Sequence, residues 1–96
     1  MEMKVPYYIV RSTAEYADFT KVTEYEEQDR DGASLCFVKT CEQEMSTGFK
    51  GIIELLKVED VRDTSRGNIK DSTLLERFES KGLDENKNHV MRYKCY

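Results

Sequence analysis

Apolar runs of two different periods point to an α+β fold, a small antiparallel or mixed sheet of about four strands with two helices packed on one face. Three observations carry that expectation. "KVPYYIVRS" (Lys4 to Ser12) is β-branched and aromatic, with apolar residues at both parities. "STGFKGIIELLKVEDV" (Ser46 to Val61) sets Phe49, Ile52, Ile53 and Leu56 at the i, i+3, i+4, i+7 spacing of one helix face. "HVMRYKCY" (His89 to Tyr96) alternates, as a half-buried strand does. With 96 residues and no Gly/Ser-rich linker, the chain is expected to form a single domain over 1–96.

The first strand carries Val5, Tyr7 and Ile9 on one face and Tyr8 and Val10 on the other, which places it inside a sheet. Pro6 lies near its start, where a missing N–H is tolerated. Ser12 and Glu15 then have capping-box spacing, and Tyr16 and Phe19 lie three apart, so Ser12 to Phe19 is read as a short helix. Lys21 to Gln28 fits either an extension of that helix or an edge strand. The strand is preferred because "DRDG" (Asp29 to Gly32) reads as a hairpin turn. "ASLCFVKTC" (Ala33 to Cys41) follows as an interior strand, with Leu35 and Phe37 opposite Cys36 and Val38.

Ser46 to Val61 is then the first long helix, weakened by Gly48 and Gly51, and Arg62 to Asn68 is a loop. "DSTLLERFESKGL" (Asp71 to Leu83) is the second helix. Thr73 and Glu76 have capping-box spacing, Leu74, Leu75 and Phe78 form its stripe, and Gly82 suits a left-handed C-terminal position. "DENKN" (Asp84 to Asn88) is a turn before the last strand. That strand points Met91, Tyr93 and Cys95 one way and Val90, Arg92 and Lys94 the other.

Charge and cysteines bound the function. The formal net charge is −4, from 15 basic and 19 acidic residues, too little basic surface for bulk nucleic-acid binding. The opening "MEMKVPYYIV" has no secretory pattern, no run approaches a membrane span, and the three cysteines then suit free thiols in a reducing cytoplasm. Cys36, Cys41, His89 and Cys95 are nominally a zinc set. As strand residues five apart, however, Cys36 and Cys41 would sit on opposite faces, roughly 16 Å apart. The single histidine has no nucleophile motif around it, and no phosphate-cradling loop occurs. No metal, cofactor or catalytic set is expected.

The remaining chemistry is charge patterning. Ala14 to Asp31 holds seven acids and two bases, whereas Lys81 to Tyr96 holds four bases and two acids. The expected role is non-catalytic binding of another protein with a basic surface, by a small acidic inhibitor or adaptor, including one of viral or mobile-element origin. The contacts would be an acidic hairpin of Glu24, Tyr25, Glu26, Glu27, Asp29 and Asp31, with complementary charge steering association. The alternative is nucleic-acid contact through Lys87, Arg92 and Lys94, on a C-terminal helix followed by a basic strand. A homo-oligomer is compatible with either.

Overall fold

A computed structural model describes residues 4–96. The chain forms β1 (Tyr7–Glu15), β2 (Thr20–Glu27), α1 (Arg30–Met45), β3 (Lys50–Thr64), β4 (Gly67–Leu83) and β5 (His89–Cys95). The strands make one antiparallel sheet in the order β2-β1-β3-β4-β5. The α+β class is as expected, but the sheet has five strands and the helix on it is single. Residues 1–3, which open the segment read for an export signal, lie outside the described residues.

Both expected long helices are strands. Ser46 to Val61 looked helical because β3 is a central strand, apolar on both faces. Ile53 and Leu55 point towards α1, and Leu56 and Val58 point away. A continuous apolar run satisfies the helical template as readily as the strand one. Its β-branched residues, Ile52, Ile53, Val58 and Val61, are the signal that favoured β. In β4 the misleading stripe comes from a bulge. Leu55 pairs with Glu76 and Leu56 with Leu74, so Leu75 has no opposite number. The extra residue shifts parity, turning an alternating strand into Leu74, Leu75 and Phe78 at helical spacing. Gly82 does adopt positive φ, +88°, but at the irregular pairing of β4 with β5 rather than at a helix end.

The expected interior strand over Ala33 to Cys41 is the helix. Asp29 is its N-cap rather than part of a hairpin turn, and its carboxylate accepts from the Gly32 N–H at 2.7 Å. Such a cap contributes about 1 kcal/mol, and Asp31 in the first turn suits the helix dipole. Ala33, Phe37 and Thr40 are its buried residues. The helical period is blurred because Leu35 and Val38 lie on exposed sides of the same helix.

Ser12 to Phe19 is not a helix either. β1 runs on to Glu15, and the Tyr16 N–H donates to the Phe19 carbonyl at 2.9 Å, closing the β1–β2 hairpin. The three-residue spacing still brings Tyr16 and Phe19 together, as stacked rings 4.7 Å apart. Residues 62–68, read as a loop, are the far ends of β3 and β4 with a tight turn between them. The Asp84 to Asn88 turn is present, and the Asp84 carboxylate accepts from the Asn86 and Asn88 N–H groups.

Register divides the side chains between two faces. Tyr8, Val10, Ser12 and Ala14 of β1 face α1 with Ile53 and Leu55 of β3 and Phe78 of β4. Tyr7 and Ile9 face the other way with Leu56 and Val58, and Leu74 and Val61 pack against them. The larger core therefore lies under α1, which packs on β1, β3 and β2. β5 is not half-buried as expected, since every residue after His89 is exposed.

Candidate binding groove and sheet edges

α1 does not reach across the whole sheet. Beside it, over β4 and β5, an open groove of about 280 Å³ is lined by Phe37, Val38, Cys41, Glu42, Met45, Glu76, Phe78 and Tyr93. Phe37 and Phe78 form a buried floor, while Val38 and Tyr93 are 49% and 54% exposed along its sides. The Phe37 and Tyr93 rings are 6.4 Å apart, an edge-tilted aromatic contact across the groove. The charged side chains of the lining are both carboxylates, Glu42 and Glu76.

Glu76 is the polar anchor of this site. It accepts a hydrogen bond from the Tyr93 hydroxyl and lies 3.6 Å from the Arg30 guanidinium. Bonding to Glu76 pushes the Tyr93 phenol up to about 12, because the carboxylate favours the protonated form. A larger hollow of about 370 Å³ is lined by Glu15, Lys50, Gly51, Ile52, Glu79, Ser80 and Lys81. It is less suited to binding, because its own charges compensate, with Lys50 4.0 Å from Glu15.

The expected acidic hairpin is dispersed by the fold. Glu24 and Glu26 lie on the sheet face away from α1, whereas Tyr25 and Glu27 lie on the helix side. Glu24 pairs with Arg11 at 3.0 Å, and Asp29 is occupied as a helix cap. Glu26 and Asp31 are exposed and make no ion pair with another described residue. Five of the six residues are exposed, Glu27 being intermediate, and they follow one edge of the sheet into the start of α1.

The basic segment is also rearranged. The helix expected ahead of it is β4, so no helix-and-wing pair forms. Lys87 sits in the turn at φ +62°. Arg92 and Lys94 share one face of β5, opposite Glu79 and Arg77 of β4, and Arg77 bonds Glu79 at 3.1 Å. The interleaved carboxylates reduce the positive field there.

The parity argument for Cys36 and Cys41 does not apply inside a helix, where five residues turn the chain by about 500°. Both thiols nonetheless point to the core of the helix-side face, and no group of three or more metal-ligating side chains occurs among the described residues. Burial, reinforced by Glu76 and Glu42, pushes the Cys41 thiol up to about 12. Burial also raises the Cys36 thiol. Cys95 is exposed. With iodoacetamide at pH 8, mass spectrometry should find Cys95 alkylated first and Cys41 last. Alkylation of Cys41 at the rate of free cysteine would show that its burial is not maintained.

Sequence reading passed over Val38, Glu42, Met45, Glu76 and Tyr93 as site residues. The signal for Val38 appears only once Asp29 to Met45 is recognised as a helix, because an apolar residue then stands on an exposed side. No family model matches the chain, and no similar protein emerges among the curated proteins or the solved structures. Among the described residues no helix is long and apolar enough to cross a membrane.

Proposed function

We propose that this chain is a non-catalytic protein-binding module, an inhibitor or adaptor, that seats a basic amphipathic segment of another protein in the groove beside α1. The observation that supports this reading is an open apolar channel whose charged lining residues are both acidic, Glu42 and Glu76. Apolar side chains of the partner would bury against Val38, Met45, Phe78 and Tyr93, each contributing about 1.5–3 kcal/mol before the costs of association. A lysine or arginine beside them would meet Glu42. Arg30 ties Glu76 to the start of α1, whose first turn also carries the exposed Asp31. Asp31 would add to the field that steers a basic partner inward.

Two fluorescent peptides test the reading, one alternating leucine with lysine and one leucine with glutamate. The basic peptide should raise fluorescence anisotropy at micromolar protein and the acidic one should not. Val38→Asp, on the helix surface, should weaken the basic peptide about tenfold or more. Equal binding of both peptides, or no effect of Val38→Asp, would reject the groove as the docking site.

A further inference from the structure

The two outer strands of the sheet carry opposite charge on the same face. Register links Glu24 of β2 through Arg11, Glu54 and Arg77 to Lys94 of β5, one row across all five strands. Glu26 shares the face of Glu24 on β2, and Arg92 shares the face of Lys94 on β5. All four residues are exposed, and neither outer strand has a second neighbour among the described residues. An unpaired edge is a template for another strand.

We propose that copies of this chain join head to tail, with β5 of one copy beside β2 of the next. Strand directions decide the geometry. In an antiparallel sheet of five strands the first and last run the same way. A copy placed by translation along the sheet therefore sets its β2 parallel to β5, with both helices on one side. A single register then puts Val90 beside Val22, Arg92 beside Glu24, Tyr93 beside Tyr25, and Lys94 beside Glu26. Both charge pairs fall on the face away from α1. The tyrosine pair falls on the helix side, where Tyr25 and Tyr93 are 44% and 54% exposed. The charged row of one copy ends with Lys94 against Glu26 of the next, and the charged row of the next copy begins with Glu24 against Arg92.

The competing arrangements lack this match. A two-fold axis normal to the sheet joins β5 to β5 or β2 to β2. It gathers Arg92 and Lys94 against themselves, or Glu24 and Glu26 against themselves, and like charges on facing strands repel. A two-fold axis lying in the sheet along the strands again joins like edges, β5 to β5 or β2 to β2, and turns one copy over, so no acidic residue meets a basic one. Head-to-tail joining does not close by symmetry. With about 20–25° of twist per strand, five strands turn each copy by about 100–125° relative to the last. The product is an open helical ribbon rather than a dimer. The junction shares Tyr93 with the groove proposed above, but its charge pairs lie on the other face.

Sedimentation velocity at low salt tests it, on wild type and on two charge-reversed variants, Glu24→Lys/Glu26→Lys and Arg92→Glu/Lys94→Glu. The weight-average sedimentation coefficient of wild type should rise with concentration without a dimer ceiling, and fall as salt screens the pairs. Each variant alone should sediment as a monomer, because both of its edges then carry one sign. An equimolar mixture of the two should regain the concentration-dependent rise, since every junction again joins opposite charges. Far-UV circular dichroism checks that each variant is folded. If Glu24→Lys/Glu26→Lys is not, because Glu24 leaves Arg11, the single changes Glu26→Lys and Lys94→Glu replace the pair of double variants. Wild type monomeric at every concentration, association stopping at a dimer, or a folded mixture that stays monomeric would each overturn the proposal.

Discussion

Gly51→Ala should destabilise the protein by about 3 kcal/mol or more, a large share of the total for a domain of this size. A Cβ built at Gly51 would stand 2.0 Å from the Thr13 carbonyl oxygen and 2.9 Å from the Phe49 ring, with φ at +151°. Neither neighbour can retreat cheaply. The carbonyl belongs to β1, which pairs with β3 at this point, and Phe49 is buried in the helix-side core. Gly67 is the control: its φ is +108°, but a Cβ there meets nothing within 4 Å, so Gly67→Ala carries only backbone strain, about 1–2 kcal/mol. Urea denaturation should show the Gly51 variant far less stable, or unfolded. Equal midpoints would mean that β1 and β3 do not approach as closely as described.

Phe37→Ala is the second large effect, about 3–5 kcal/mol. Phe37 is buried and lies in the middle of α1, packed into the core shared by Val10, Ile53, Leu55 and Phe78. Because α1 is the layer that covers this face, loosening it exposes the centre of the sheet. Leu35→Ala on the exposed side of the same helix should fall within about 0.5 kcal/mol of wild type. Thermal denaturation followed at a helix-sensitive wavelength compares them directly. A Phe37→Ala variant as stable as Leu35→Ala would show that the helix is not held by this contact.

Where the sequence was read correctly, one signal dominated. β1 and β5 were legible from aromatic and β-branched composition and from alternation, and the Asp84 turn from its polar run; β2 is a strand as expected, but the hairpin turn that favoured it is the start of α1. The failures share a cause. Helical spacing and strand alternation become indistinguishable when a strand is buried on both faces, as β3 is, or when a bulge shifts its parity, as at Leu75 in β4. The reverse error at Ala33 to Cys41 arises because an exposed Leu35 and Val38 hide the helical period, while Asp29 suits a turn as well as a cap. The acidic segment was visible as composition, but its division between two sheet faces depended on register with β1. The groove was the least legible feature. It is made by the distance that α1 leaves uncovered, which no local pattern encodes.

The proposed binding function is tested most directly by following backbone amide shifts of ¹⁵N-labelled protein as the leucine–lysine peptide is added. Shifts should concentrate on Val38, Cys41, Glu42 and Met45 of α1 and on Glu76 and Tyr93 across the groove. They should weaken in Val38→Asp. Shifts centred on β2 or on the face away from α1, or no shifts at millimolar peptide, would contradict binding in the groove.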